Sequence, residues 1–573
     1  MKFKKFLAMA LISTMTMSLV ACGGSGSENG STSANEQGQT ESKSEFDTMV
    51  VGLNELNGIF NPLFYTTAFD NYAMGPVFSS VCILDDDNNL IDDAGNISYK
   101  EIKDDAGNTT QVEYTVKLKD GMTFSDGKPV TIDDYIFGLY VQLDPNYDGM
   151  STLSTLNIQG LKEYREGGEA VKEVSGIKKV DDLTATITID GVSIVADRQL
   201  GLQTILPKHY YGVGDDGTEF KKGDMTVPKS RNSAPMGNGP YIFKNYENNI
   251  VTLEANPNYF KGAPKTPNLK FQVVAEANKV DVVAKGEMDI SDPAADKETM
   301  VRLDAEGIEY NLTDNNGYGY IGIDANRIKD KNVRKGLMHL MNREPAVKSY
   351  FGDLADVLER PMTSTLAEYP QDVEAYYPYD KAKALEYFTA AGYKKDANGK
   401  LVDANGNQLK VEVGVGDLKS HPTAGIFSQM KIDMEEMGAE LIVSDLQFNV
   451  LSDRMNSGDL DIFALAWSNA NDCDLTQIFH SSSADGAGSN RYNLKDPEVD
   501  KLIEEVATTL DLEKRKELVA QELDLIMDNA VVMPVYQRKN LNIFSQNLKI
   551  DTVYRTESPY HTYRDEYHVI EMK

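Results

Sequence analysis

The first 22 residues decide which part of this chain folds at all. Met1-Lys2-Phe3-Lys4-Lys5 is basic, Phe6 to Val20 carries no charge, and Cys22 is followed at once by Gly23 and a polar stretch. An apolar run this short, with those flanks, is a secretory signal rather than a membrane span. Gly23 to about Ser44 is low-complexity Gly, Ser, Asn, Gln and Glu. It cannot bury enough apolar area to fold, so residues 23–45 are expected to be a disordered linker. At about 5–6 Å × √n such a leash holds a body about 25 Å from its anchor point. No later stretch is apolar enough to span a bilayer, so the chain from Asp47 onward must fold in water.

At 573 residues the chain is too long for one compact core, and two or three domains are expected. Lys+Arg of 57 against Asp+Glu of 89 gives a net charge of −32. That balance argues against nucleic acid and against a polybasic grip on anionic lipid. Of three cysteines, Cys82 and Cys473 lie in the folding part. Two thiols make no disulfide framework, and buried free thiols are expected, with pairing left open.

Strand and helix signals intermix. Thr48 to Leu53 is a short strand, and Tyr114 to Leu118 and Thr184 to Ile189 alternate as strands do. Asn398-Gly399 and Asn405-Gly406 punctuate a hairpin leading into Leu409 to Val415. Asp380 precedes a helix with Ala384, Leu385 and Phe388 inward and Gly392 at its end. Asp496-Pro497 opens another with Val499, Leu502, Ile503, Val506 and Leu510 on one face, and Asp511 caps a third carrying Leu518, Leu523 and Ile526. The fold class is mixed α/β.

Leu19-Val20-Ala21-Cys22 resembles the lipobox of bacterial lipoproteins, which implies that Cys22 is acylated and becomes the first mature residue. Two or three acyl chains, at about 0.8 kcal/mol per buried CH₂, would hold the protein on a membrane. The alternative is an ordinary cleaved signal with a chance cysteine. Three further segments carry a second resemblance: Tyr114 to Tyr135 (YTVKLKDGMTFSDGKPVTIDDY), Met236 to Phe243 (MGNGPYIF) with Val251 to Gly262 (VTLEANPNYFKG), and Asn332 to Glu344 (NVRKGLMHLMNRE). Together they resemble the extracellular solute-binding proteins of the peptide/nickel-binding family, which serve ABC importers. Asn342 stands where that family usually has Asp. Gly286 to Ile290, Gly458 to Trp467 and Met533 to Tyr536 match in order, and Leu143 to Asn146, Gly160 to Gly167 and Val180 to Asp182 are similar to the oligopeptide-binding branch.

The resemblance implies a two-lobed periplasmic-binding-protein-like clamp of the large three-domain type, in which a solute lies between lobes that close around it. Lobe I would comprise residues 46–75, 195–316 and 540–573, an extra domain 76–194, and lobe II 317–539, with hinges near 316 and 539. It implies a non-enzymatic protein that hands short peptides to ABC permease subunits with cytoplasmic ATPases; a monomer without cofactor is expected, and nickel binding stays open only as a family possibility. Its place would be the outer face of the cytoplasmic membrane, facing the periplasm if an outer membrane is present. An oligosaccharide or another non-peptide solute, or a peptide-sensing receptor, are the alternatives; an exported hydrolase is disfavoured, since no nucleophile or phosphate-loop motif is present.

A protein that ignores peptide side chains must bind the backbone and the termini. In the peptide-binding branch, Trp-x-x-Asp sets a carboxylate against the peptide's α-ammonium. Here the run is Trp467-Ser468-Asn469-Ala470-Asn471-Asp472-Cys473-Asp474, with Ala470 at the Asp position and Ala464 where the oligopeptide branch has arginine. Omitting a charge-assisted contact to a buried ammonium is costly, so Asp472 is expected to substitute, or the ligand lacks a free α-amine. Trp467, the only tryptophan, is expected to stack on ligand, or else to be a core aromatic at a strand end. Ser468, Asn469 and Asp474 flank the same segment. Asn54, Glu55 and Asn57 follow the first strand, where the family contacts ligand main chain, and Tyr318 faces the cleft or packs the hinge. Asp85-Asp86-Asp87-Asn88-Asn89-Leu90 imitates a calcium loop but has Leu90 at the required Gly and Asn96 at position twelve. The six histidines show no metal-ligand spacing, and Asp459 and Asp461 form a carboxylate pair on a predicted strand.

Overall fold

The computed structural model describes residues 46–573 apart from Ala470 and the side chain of Glu169; the leader, Cys22 and the linker lie outside the described residues. Its largest sheet has twelve strands: β1 (Thr48–Leu53), β2 (Tyr241–Glu247), β3 (Ile250–Ala255), β4 (Asn268–Val273), β5 (Ile290–Ser291), β6 (Glu309–Asp314), β7 (Gly317–Ile323), β8 (Ala355–Val357), β9 (Lys410–Gly416), β10 (Glu440–Leu446), β11 (Ile462–Ser468) and β12 (Val532–Phe544). The order across it is β10-β9-β11-β7-β12-β5-β1-β4-β3-β2, with β6 and β8 also paired to β12.

Strand β12 joins the two halves of this sheet. Val532 to Tyr536 pair with β7, and Lys539 to Phe544 pair with β6. Its sequence explains how one strand serves two cores. Val532, Met533 and Val535 are buried with residues of one half, Leu541, Ile543 and Phe544 with the other, and Gln537-Arg538-Lys539-Asn540 fills the polar middle. Opposite that middle, β6 passes into β7 through Asn315-Asn316. The crossing is hydrogen-bonded throughout: Asn315 N–H donates to Arg538 O (2.9 Å), Gln537 Nε2 to Asn315 O (2.9 Å), Asn315 Nδ2 to Asn540 Oδ1 (2.9 Å), and Lys539 Nζ to Asp314 Oδ1 (2.8 Å).

Four groups of buried apolar residues lie along the chain. One draws on residues 318–535, a second on 49–78, 137–290 and 544–572, a third on 81–205, and a small fourth joins 274–303 to Leu541 and Ile543. The third surrounds a separate four-stranded sheet containing Thr109–Leu118 and Thr184–Asp190, longer versions of the two alternating segments. Beside it the helix Ile132–Gln142 starts on a Thr131/Asp134 capping box. No described helix is long and apolar enough to cross a membrane. Cys82 and Cys473 are buried and free.

Some local expectations need correction. The helix Lys381–Ala390 buries Ala384 and Phe388, but Leu385 is exposed because it falls outside the i, i+4 stripe. The helix Pro497–Ala507 ends before Leu510. Asp459 and Asp461 precede β11 rather than lying on it, and accept from Arg454 (3.0 Å) and Arg327 (2.9 Å) respectively.

The β7–β12 ladder shifts register at Gly319/Tyr320, where the Tyr536 ring lies over Gly319. A Cβ at Gly319 would sit 2.2 Å from that ring. Gly319→Ala is therefore expected to destabilise the protein by about 1–3 kcal/mol through overpacking, read as a lower denaturant midpoint; an unchanged midpoint would mean the ring moves aside freely.

Candidate functional site between the halves of the sheet

In the half built on β7 and β9 to β11, β9, β10 and β11 are parallel neighbours in the order β10-β9-β11. Helix α1 (Ala424–Met437) carries the chain from β9 to β10 on one side, and α2 (Phe448–Asn456) carries it from β10 back past β9 to β11. The strand order reverses between β9 and β11, and the crevice beyond the carboxyl ends of two such strands is where open α/β sheets bind ligands. Ser468 and the loop after it lie at that end.

Strand β11 has an open side there. It pairs with β7 over its whole length, but with β9 only at Ile462 and Phe463. Asn469 N–H donates to Asn316 O (3.0 Å), which fixes the phase of the antiparallel ladder. The main-chain groups of Trp467 thus face Tyr318, while those of Ala466 and Ser468 point away from β7. Both residues are exposed, and no strand partner covers that side among the described residues.

The loop after β11 is stitched from three directions. Asn316 Nδ2 donates to Asn469 O (3.3 Å) and to Asn471 Oδ1 (3.0 Å), and Asn469 Nδ2 donates to Thr363 Oγ1 (2.8 Å). From the residue 81–205 side, Arg198 Nε (2.7 Å) and Asn88 Nδ2 (3.1 Å) both donate to Asn471 O, while Arg198 Nη2 donates to Asn88 O (2.6 Å). Asp472 Oδ1 accepts from Asp474 N–H (3.0 Å), and Asp474 Oδ1 from Thr476 N–H (2.8 Å), two successive Asx turns. Among the described residues no cation is hydrogen-bonded to the half-buried Asp472. Burial raises its pKa to about 6, with the negative charges of Asp474 and Glu368 adding to the shift and Arg198 opposing it. Beneath the loop Glu522, on the helix Leu512–Asp528, is fully buried with neither carboxylate oxygen hydrogen-bonded, and burial holds its pKa well above the usual range.

The other expected residues are placed as follows. Trp467 is partly buried against the core of its own half. Tyr318 is its ladder partner, 2% exposed, with its hydroxyl donating to Pro361 O (3.0 Å), so it offers a ligand no free polar group. Asn54, Glu55 and Asn57 are exposed beyond the end of β1. Their loop is held by the buried Asp70 carboxylate, which accepts from the N–H groups of Asn57 (2.9 Å), Gly58 (3.2 Å) and Ile59 (3.2 Å). Ala464 is 2% exposed inside the core, where an arginine would not be accommodated. Sequence reasoning missed Arg198, Asn88, Asn316 and Glu522. Only Asn88 left a trace, as part of the rejected Asp85–Leu90 turn, in which it takes φ +64° and is 3% exposed.

Asp472 gives a pH signature. A carboxylate raised from 3.8 to about 6 by folding binds its proton more tightly in the folded chain, so stability falls as pH rises from about 4 through 6 and stays lower above. Asp472→Asn is expected to stabilise the unliganded protein at pH 7.5 by about 1–3 kcal/mol, with the difference vanishing near pH 4. A variant equally stable at both pH values would show that Asp472 is not strained.

Comparison with known proteins gives three findings. The family model for bacterial extracellular solute-binding proteins, family 5 (middle), matches residues 106–489. The oligopeptide-binding protein AppA of Bacillus subtilis is 26% identical over 99% of both chains, and its structure with a nonapeptide superposes with a TM-score of 0.66 over 92% of this chain and 99% of that one, at 22% identity. Heme-binding protein A of Haemophilus influenzae is 24% identical over 93% of this chain and 94% of its own. The shared architecture is the two-lobed clamp.

Proposed function

Because the chain belongs to the family 5 bacterial extracellular solute-binding proteins, and to their oligopeptide-binding branch, we propose that it captures short peptides between its lobes and delivers them to an ABC permease. The family binds solutes and does not transform them. The observation that carries the peptide reading is the unpaired side of β11. At Ala466 and Ser468 a strand edge presents N–H and C=O groups that an extended peptide of any sequence can match by strand addition. The exposed loop Asn54–Asn57 supplies main-chain contacts from the facing lobe, and Trp467 stacks on a residue of the ligand. Asp472 takes the α-ammonium in place of the absent Asp at residue 470, and its raised pKa is the cost of holding a carboxylate ready for a cation. Side chains of the ligand lie in hydrated space where water adapts to each.

Lobe I is residues 46–75, 195–316 and 540–573, the extra domain 76–194, and lobe II 317–539. The apolar cluster confined to residues 318–535 supports the limits of lobe II, the third cluster runs past 194 to Ile205, and the crossing at Asn315/Asn316 and Arg538/Lys539 supports the hinges. The protein is exported and held by lipid on Cys22 at the outer face of the cytoplasmic membrane. The second reading, a non-peptide solute, is favoured by the heme-binding relative and by Ala464 and residue 470.

Titration with a tripeptide and its N-acetylated form separates the two. The free-amine peptide is expected to bind at least about tenfold tighter, and Asp472→Asn to erase that difference, as a charge-assisted contact requires; failure of both peptides to bind would favour the non-peptide solute. Trp467→Ala is expected to cost about 1–3 kcal/mol of peptide affinity if the ring stacks on ligand, and unchanged affinity in a folded variant would point the ring elsewhere. Cys22→Ser is expected to release the protein into the medium, and retention in the membrane fraction would remove the anchor.

A further inference from the structure

One cavity shares no wall residue with the proposed peptide site. It has a volume of about 620 Å³, with walls from residues 62–83, 93, 142–151, 202–204, 240, 259–261 and 559–567 and none from residues 317–539. This volume suits a small organic ligand.

Its wall carries hydrogen-bond donors without acceptors. Arg564 is stacked between the rings of Tyr72 (4.4 Å from its guanidinium carbon) and Tyr563 (4.9 Å). Among the described residues its guanidinium makes no hydrogen bond; its sole ion pair is Nη2 to Asp292 Oδ2, at 3.6 Å. Asp292 is already engaged, since its Oδ1 accepts from Lys279 Nζ at 2.8 Å. The hydroxyls of Tyr65 and Tyr72, both on the cavity wall, likewise have no hydrogen-bond acceptor among the described residues. Burial, and the neighbouring Tyr72, raise the pKa of Tyr65, so its hydroxyl remains a donor at neutral pH. The acids on the wall are engaged too: Asp93 is paired with Lys261, and Asp565 accepts from Thr562 N–H (2.9 Å) while burial pushes its pKa up. A planar guanidinium fixed by aromatic rings presents its N–H groups in one plane, the geometry that a carboxylate accepts bidentately.

We propose that this cavity is a second ligand site, taking a small organic carboxylate whose two oxygens bridge Arg564 and the hydroxyls of Tyr65 and Tyr72 while its planar body lies against the tyrosine rings. None of the residues expected to hold the peptide, Asn54, Glu55, Asn57, Trp467 and Asp472 among them, lines it.

Benzoate serves as the probe and benzamide as its neutral counterpart, with binding to the mature chain followed by saturation-transfer NMR and calorimetry. Benzoate is expected to bind and benzamide not. Arg564→Gln should weaken benzoate at least about tenfold, and Tyr72→Phe, which removes only a hydroxyl, about threefold; Trp467→Ala should leave it unchanged. Benzoate that fails to bind at millimolar concentration, benzamide that binds equally, or an affinity untouched by Tyr72→Phe and Arg564→Gln would overturn the site. Loss of benzoate binding in Trp467→Ala would assign the anion to the interlobe cleft and overturn it as well. Circular dichroism confirms that each variant is folded.

Discussion

The structure depends on a short polar crossing between two apolar cores. Strand β12 contributes Val532, Met533 and Val535 to one core and Leu541, Ile543 and Phe544 to the other. Between them lies a stretch of Gln, Arg, Lys and Asn bonded to Asn315 and Asp314. An apolar crossing would pack the two halves into one rigid body. A crossing made of main-chain and amide hydrogen bonds keeps its partners while φ and ψ adjust, which is the requirement on a hinge. The two segments that cross, residues 314–317 and 537–540, lie side by side and are hydrogen-bonded to each other.

The loop that follows β11 begins at this same crossing. Asn316, part of the crossing and of the proposed hinge, holds Asn469 and Asn471, and Arg198 and Asn88 hold Asn471 from the other side. A change of hinge angle therefore acts directly on the loop that carries Asp472. Among the described residues acids outnumber their partners here: Arg515 is paired with Glu368 at 2.8 Å, Arg198 is committed to carbonyl groups, and Asp472, Asp474 and Glu522 have no hydrogen-bonded cation. Such an arrangement costs stability in the empty protein and favours whatever positive charge arrives.

Much of the fold was legible in the sequence because its signals are local. Asp380, Asp496 and Asp511 cap the helices they were expected to cap, accepting from Lys383, Glu498 and Lys514. The Thr131/Asp134 box starts the helix in the first family block, and β1 spans the residues expected of it. The misses were of two kinds. Hydrophobicity alone places Leu385 and Leu510 inward, where helix phase and helix end decide the outcome. The site was legible only in part, since Trp467 and the 468–474 run stood out by family spacing, whereas Arg198 and Asn88 reach Asn471 across more than 270 positions of chain. Glu522 sits on an amphipathic helix at a position indistinguishable in sequence from an exposed glutamate, and only the packing shows that it is buried. The use of Asn469 on Thr363 and of Tyr318 on Pro361 is equally a matter of tertiary contact.

Peptide capture turns on main-chain pairing along the open side of β11. Residue-resolved amide hydrogen exchange, with and without a saturating unmodified peptide, tests it most directly. Slowed exchange at Ala466 and Ser468 on adding peptide, with Trp467 unaffected because its N–H already faces β7, is the result predicted. Equal exchange at Ala466 and Ser468 in both states, with the peptide demonstrably bound, would contradict it.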